Sequence, residues 1–347
     1  MRIFMRYLGY KLKKSTLRSI IITLIGFVIC QGTVEGSTSY EMVEWRESGI
    51  YILATLLGII CTLIPILELA PFKNRRNLDT LFFFPIKRWK MAIANYLSGW
   101  IQISFIYSVC FLGHLVYLLA NTDCFTLIYM LPYYALSMLI GLMMYSIFAF
   151  VFNEANTVAD GVIFCILWMF LGWMAYAGFC GIVIEPHEAM LTEEFGGVLN
   201  SFGEWGIIYA PINNLTVIFR YLIETNRHPE DNYYARYALE YLSQSYMFAV
   251  WGTLGFASVI GYIFRFAKKS AYKAGEISRS PFGYMTLIPI YGYSLLAIVG
   301  GSITLINFII VAFMLVGYIV YRRSVRIRWS DIVVLSCSII PMLLASI

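Results

Sequence analysis

The stretch "GIYILATLLGIICTLIPILELA" (residues 49–70) carries a single charged side chain, Glu68, in a run long enough to cross a lipid bilayer. A helix over this run would extend about 33 Å, because each residue adds roughly 1.5 Å, and the hydrocarbon core of a bilayer is about 30 Å thick. Lipid offers backbone amides no hydrogen-bond partners, so the run is expected to be helical. The stretch therefore predicts a transmembrane helix.

Similar apolar runs recur along the whole chain. They cover residues 18–34, 49–70, 91–120, 125–152, 159–184, 246–266, 282–299 and 303–321, with a shorter final run at 331–347. The 347 residues are 60% hydrophobic and 13% charged, and the mean hydropathy is +0.74, which leaves too little polar surface to cover a soluble core. The composition predicts an all-α polytopic membrane protein.

Lysine and arginine gather in alternate connections between these runs. With the N-terminus placed in the cytosol, 21 of them fall on the inner side and four on the outer side. Cytoplasmic connections are enriched in positive residues, so this asymmetry predicts a cytosolic N-terminus. The asymmetry also accounts for the net charge of +5, and we expect no nucleic-acid partner.

Two segments outside the apolar runs have patterns of their own. Residues 1–17 place apolar side chains on one helical face and bases on the opposite face, which predicts an amphipathic helix on the inner leaflet. A plain basic flank is the alternative. The outer segment, residues 185–245, contains "YAPINNLTVIFRYL" (residues 209–222), which is too apolar for a free loop and too short to span. We expect it to form a helix that dips into, or lies on, the outer face.

The sequence lacks the common catalytic and nucleotide-binding motifs. It has no GxxxxGK[ST] phosphate loop and no HExxH pair, which argues against ATP binding through a P-loop and against a membrane protease. The "EPHE" segment (residues 185–188) has no second histidine nearby, so a solvated loop is favoured over a metal site. Glu68, Glu154 and Asp160 each lie near the end of a run, from which they can reach the interface. We therefore expect no intramembrane ion site, no metal, no cofactor and no enzymatic activity in this chain.

The inner connection between the second and third runs reads "NRRNLDTLFFFPIKRW" (residues 74–89). Pro71 and Pro85 bound a segment, residues 71–84, that is long enough for three helical turns. Its apolar side chains share one broad helical face: Leu78, Leu81, Phe82, Phe83 and Phe84. A short helix with such a face on a positive loop suits a groove on another protein. A helix lying back on the inner leaflet is the alternative.

The longer segment "NLDTLFFFPIKRWKMAIANYLSGW" (residues 77–100) resembles a segment of the ABC-2 type ABC transporter permeases. In that family a new span is preceded by an acidic residue, two or three apolar residues, a Pro-Ile or Pro-Val pair, and a basic residue. The matching residues are Asp79, Leu81, Pro85, Ile86, Lys87 and Arg88. "YAPINNLTVIF" (residues 209–219) and "RFAKKSAYKAGE" (residues 265–276) are also similar to family segments. The second is typical of Gram-positive permeases with extra C-terminal spans, a subgroup that includes exporters of amphipathic peptide toxins.

The resemblance implies how the chain is organised. Residues 1–17 would be a connecting helix. Residues 18–266 would be the six-span permease core, with a coupling helix at 71–84 and the outer segment at 185–245. Residues 267–347 would supply a cytosolic connection and two or three additional spans.

The resemblance also implies that a separate ATPase subunit, which binds ATP and Mg, docks on the coupling helix. The ATPase-coupling residues would be Leu78, Asp79, Leu81, Phe82, Phe83, Phe84 and Pro85, with a cytosolic basic flank of Arg75, Arg76, Lys87 and Arg88. A second permease subunit, identical or related, would complete the pathway in a bacterial plasma membrane.

The spans carry no ring of charges, which favours an amphipathic or hydrophobic substrate, such as a peptide toxin or a lipid-like envelope compound. Two alternatives from other classes are a membrane sensor or structural protein that docks a cytosolic signalling partner, and a lipid-modifying membrane enzyme.

Overall fold

A computed structural model describes most of the chain. The described residues are 2–32, 42–74, 76–78, 85–121, 125–180, 205–227, 232–269, 274–276, 278, 280–299, 305–322, 324–326 and 329–337. They form α-helices joined by turns, and none of them belongs to a β-strand. The all-α prediction is confirmed for this part of the chain.

The helices follow the apolar runs closely. They are α1 (Arg2–Gly32), α2 (Met42–Leu69), α3 (Arg88–Asn121), α4 (Phe125–Glu154), α5 (Val158–Phe179), α6 (Ala210–Arg227), α7 (Asn232–Ser243), α8 (Tyr246–Ala267), α9 (Tyr284–Val299), α10 (Leu305–Arg322) and α11 (Trp329–Cys337). A short 3-10 turn, Ala70–Lys73, follows α2 directly.

Six helical stretches among the described residues are long and apolar enough to cross a membrane. They are Ile50–Lys73, Arg88–Val116, Ile128–Glu154, Val158–Phe179, Tyr246–Ala267 and Leu305–Arg322. The apolar helix α9 has only 16 residues, and the predicted runs at 18–34 and 331–347 are not among the six. The structure therefore supports a multi-pass membrane protein, while the larger number of spans and the cytosolic N-terminus stay predictions.

The described helices belong to two compact units. The first comprises Met1–Asn153 and Pro211–Tyr272, and the second comprises Glu154–Ala210 and Lys273–Ile347. The fifth predicted span, which forms α5, belongs to the second unit together with α9, α10 and α11.

Helix α1 runs without a break through residue 18, where the sequence predicted that a connecting helix ends and a membrane span begins. Its buried face is polar: Lys11, Ser15, Ser19 and Thr23 recur every four residues and are each 5–7% exposed. Large apolar side chains of the same helix point outward, including Ile21, Leu24, Ile25 and Val28. A helix in lipid is stable in this orientation, because its polar groups find partners only inside the protein.

The segment at residues 209–222, predicted to dip into or lie on a face, forms most of the buried helix α6. Ile212, Leu215 and Ile218 on it are each 2–4% exposed. The hydroxyls of Thr216 and of Tyr133 on α4 lie 3.1 Å apart, and both residues are fully buried. In the first unit, α6 is therefore packed into the protein rather than left on its surface.

Helix α8 approaches α4 closely at Gly255. A Cβ atom at this position would lie 3.0 Å from the Cα and Cβ atoms of Met143. By contrast, a Cβ atom at Gly9 on α1 would meet nothing within 4 Å. Small residues allow membrane helices to pack backbone against backbone, so Gly255 fixes the spacing of α8 and α4.

We predict that Gly255→Leu destabilises the protein by about 1–3 kcal/mol, because the new side chain must push the two helices apart. The same change at Gly9 is expected to be neutral or stabilising, since it removes a flexible glycine from a helix without a clash. Thermal unfolding of the purified chain in detergent measures both. Equal melting temperatures for the two variants would contradict the close packing at Gly255.

Candidate functional site

The inner loop singled out in the sequence begins with the 3-10 turn Ala70–Lys73, after which Asn74 takes an extended backbone conformation (φ −104°, ψ 126°). Asn74 then starts a new helical turn. Its Oδ1 accepts a hydrogen bond from the backbone N–H of Arg76 at 3.1 Å, and its carbonyl oxygen accepts one from the N–H of Leu78 at 3.0 Å. The helix predicted from Pro71 therefore begins at the Asn74 cap, and residues 76–78 are its described part.

The predicted coupling residues divide into three groups. Arg76, Pro85, Lys87 and Arg88 are exposed. Leu78 is fully buried at 0% exposure, so it packs against this chain and is not presented on the surface. The others lie outside the described residues: Arg75, Asp79, Leu81, Phe82, Phe83 and Phe84.

Lys73 anchors the start of the loop. Although it carries a charge, its side chain is buried, with only 6% of the residue exposed. Its Nζ atom donates to the carbonyl oxygens of Phe152 at 2.7 Å and Asn153 at 3.1 Å. These carbonyls end α4, where a helix lacks internal donors and carries partial negative charge. Lys73 is buried because it caps that helix end.

Lys269 and Arg88 anchor the end of the loop at the same place. The Nζ atom of Lys269, just beyond α8, donates to the Asn153 carbonyl oxygen at 2.9 Å. The backbone carbonyl of Lys269 in turn accepts a hydrogen bond from Arg88 Nη1 at 2.9 Å. Both ends of the loop, at Lys73 and Arg88, are therefore tied to the region where α4 and α8 end.

A buried ion cluster lies one helical turn before the loop. Lys11 Nζ is 3.3 Å from Glu68 Oε2, and the Arg18 guanidinium binds Glu68 Oε1, while the Glu68 side chain is only 4% exposed. Burial lowers the pKa of the Lys11 ammonium and Glu68 opposes that shift. The sequence placed Glu68 within reach of the interface. The structure shows its side chain buried inside the protein, where two bases of α1 neutralise the carboxylate.

Gln102 on α3 joins the same cluster. Its Nε2 donates to Glu68 Oε1 at 2.9 Å, and its Oε1 accepts from Arg18 Nη2 at 2.8 Å and from Ser19 Oγ at 3.2 Å. We call Lys11, Arg18, Ser19, Glu68 and Gln102 the Glu68 cluster. Because one carboxylate and one amide are shared by three helices, the cluster holds α1, α2 and α3 in one arrangement.

Phe72 connects the Glu68 cluster to the loop. Its ring lies 5.2 Å from Lys11 Nζ and 5.1 Å from the ring of Phe266 on α8, in an edge-to-face arrangement. Phe72 is 1% exposed and directly precedes Lys73. A displacement of the loop start would therefore disturb α1 and α8 as well as α2.

The described residues hold no group of three or more His, Cys, Asp or Glu side chains that could bind a metal ion. The chain matches no protein-family model, no curated protein and no solved structure. The contacts of the site itself connect a charged loop with α1, α2, α3, α4 and α8.

We predict that Glu68→Gln destabilises the protein by about 3–5 kcal/mol, because Lys11 is left buried without a counter-charge. Arg18 is expected to matter less, since its side chain is 29% exposed and can reach water. Thermal unfolding in detergent is the measurement. The double variant Glu68→Gln with Lys11→Met should recover part of the loss, and Glu276→Gln, at an exposed position, is the control. A Glu68→Gln variant as stable as this control would contradict the cluster.

We also predict that Lys73→Met destabilises the protein by about 1–3 kcal/mol, because the last carbonyls of α4 lose a buried donor. Lys87→Met removes the same charge from an exposed position of the same loop and is expected to change stability little. The two variants are compared by thermal unfolding in detergent. If they behave alike, Lys73 is not an anchor.

Proposed function

We propose that the chain is the permease subunit of an ATP-driven ABC exporter and that residues 74–87 receive a separate ATPase subunit. The observation that carries this proposal is the anchoring of the loop at both ends. Lys73 and Arg88 both reach the region where α4 and α8 end, so a force on the loop would move membrane helices rather than bend a slack connection.

The burial of Leu78 refines which residues meet the ATPase. Leu78 holds the start of the coupling helix against this chain. The docking face then consists of the residues that follow it: Leu81, Phe82, Phe83 and Phe84. In this arrangement the exposed Arg76 and Lys87 flank the docking face, and Pro85 ends the helix.

The Glu68 cluster gives the proposed movement a route to further helices. Phe72 contacts Lys11 at the loop start, and Glu68 ties Lys11 to α2. Gln102 on α3 donates to the same Glu68 carboxylate, which brings α3 into the contact. Helix α1 would thus follow the loop during the transport cycle. This behaviour fits the role of the connecting helix that the sequence resemblance assigns to residues 1–17.

The contacts between α3 and α4 support an amphipathic or hydrophobic substrate. Their described polar contacts involve hydroxyls and no charged side chain. Three are hydroxyl pairs, Tyr96 with Ser146 at 2.6 Å, Tyr107 with Ser137 at 2.9 Å and Ser108 with Tyr134 at 2.6 Å, and Tyr145 also donates to the Tyr96 carbonyl oxygen at 2.9 Å. Aromatic rings with a hydroxyl suit a ligand that is apolar with scattered polar groups. The proposed substrate is a peptide toxin or a lipid-like envelope compound, moved through a pathway shared with a second permease subunit. ATP and Mg would bind only in the partner ATPase, in a bacterial plasma membrane with the N-terminus in the cytosol.

We predict that a P-loop ATPase co-purifies with the full chain and that Phe82→Asp abolishes both this association and the ATP hydrolysis of the complex. A charge buried in an apolar groove costs several kcal/mol, which is enough to release the partner. Association is measured by affinity purification from membranes, and hydrolysis is measured on the purified complex in nanodiscs.

Asn77→Asp is the matched control, because it adds the same charge at an exposed position of the same loop. Leu78→Asp is unsuitable as a test, since burial of Leu78 would confound loss of docking with loss of folding. The proposal fails if no P-loop protein associates with the chain, or if the Phe82→Asp complex keeps its full hydrolysis rate.

A further inference from the structure

Helices α10 and α11 of the second unit border a shallow recess that is open to the surface. Its polar lining consists of Arg322, Ser324 and Arg326, and its apolar lining includes Leu315, Ile319 and Leu335. The recess belongs to the turn between these two helices of the second unit, whereas the loop and the Glu68 cluster are parts of the first unit.

The polar end of the recess suits an anion. Arg322 lies in the last turn of α10, with its guanidinium carbon 5.5 Å from the centroid of the Tyr318 ring. The backbone N–H of Arg326 donates to Ser324 Oγ at 3.3 Å, which shapes the turn and leaves the Arg326 side chain exposed. Among the described residues that line the recess, two are arginines and none is a carboxylate. Guanidinium groups match phosphate oxygens in both charge and geometry.

The other end of the recess suits a hydrocarbon chain. Leu315 and Ile319 lie one helical turn apart on α10, and Leu335 faces them from α11. The apolar surface continues outward along α10 through Val316 and Val320, which are 50% and 69% exposed. A ligand with a charged head and an apolar tail would satisfy both ends at once, whereas a free anion would leave the apolar wall bare.

The recess also lies at the level expected for lipid headgroups. Helix α10 is one of the candidate spans, and it ends at Arg322. Trp329, at the start of α11, is 80% exposed, and exposed tryptophans of membrane proteins concentrate at the interface between headgroups and hydrocarbon. The charge asymmetry of the sequence predicts that this end faces the cytosol, where basic pockets between spans meet anionic lipids.

We propose that this recess binds one anionic phospholipid of the inner leaflet. The phosphate lies between Arg322 and Arg326, and an acyl chain follows the wall formed by Leu315, Ile319 and Leu335. The site does not depend on an ATPase partner, so a failure of the proposed transport function would leave the proposed lipid site unaffected.

Native mass spectrometry of the full chain in detergent tests the proposal. Phosphatidylglycerol and phosphatidylethanolamine with identical acyl chains are titrated separately, and inorganic phosphate is added as a competitor. One phosphatidylglycerol is expected to bind in preference to phosphatidylethanolamine. The double variant Arg322→Gln with Arg326→Gln is expected to weaken that binding roughly 30-fold. Each base near a membrane surface contributes about 1 kcal/mol, and the about 2 kcal/mol lost with two bases corresponds to this factor.

The control Lys87→Gln with Lys268→Gln also removes two exposed bases from the chain and is expected to bind phosphatidylglycerol normally. Leu335→Trp, which fills the apolar end, is expected to weaken lipid binding while leaving both arginines in place. It serves as the test if the arginine variant fails to fold.

Three results would overturn the proposal. Equal losses of phosphatidylglycerol binding in the arginine variant and in the control would indicate that the lipid is attracted to positive charge in general. Equal binding of the two lipids would remove the role of the anionic head. Displacement of the lipid by inorganic phosphate at similar concentration would indicate a free-phosphate site without a role for the apolar wall.

Discussion

Glu68 lies near the end of an otherwise uncharged apolar run, and a carboxylate buried there without partners would cost several kcal/mol. Helix α1 lies along α2 and α3 with its polar face inward, so that Lys11 and Arg18 both bind the Glu68 carboxylate. Gln102 completes the arrangement from α3. The positions of the first three helices at this end of the unit thus depend on a single charge that must be neutralised.

The same need for partners shapes the loop that follows. Lysines 73 and 269 are held at the end of α4 because its final carbonyls lack internal donors, and Arg88 fixes the far side of the loop to the backbone of Lys269. Unlike most surface connections, the loop therefore has little freedom at either end. Rigid attachment is what a helix needs if it is to transmit a partner's movement to the membrane, and this links the local chemistry to the proposed function.

The sequence was sufficient for the helices but not for their contacts. Apolar runs predicted most helices correctly, because a single segment in lipid satisfies its backbone hydrogen bonds only as a helix. Residues 209–222 were also predicted as a helix, because they are too apolar for a free loop. The buried ion pairs were missed because they join residues far apart in the chain, such as Lys11 and Glu68, and helical periodicity describes only neighbours on one helix. Two signals were present: a lone acid inside an apolar run, and polar residues every four positions in α1. Leu78 was predicted on an outward face. A sequence pattern shows that a helix has an apolar face, but it does not show whether that face packs against a partner or against the same chain.

We propose that the aromatic residues of the loop touch an ATPase. The most direct test of this contact is to replace Phe83 with photoreactive benzoyl-phenylalanine in the full chain, to irradiate intact membranes, and to identify the cross-linked product by mass spectrometry. A cross-link to a protein that contains a P-loop is expected. Cross-links to phospholipid alone would mean that the helix lies on the inner leaflet, and the coupling role would be contradicted.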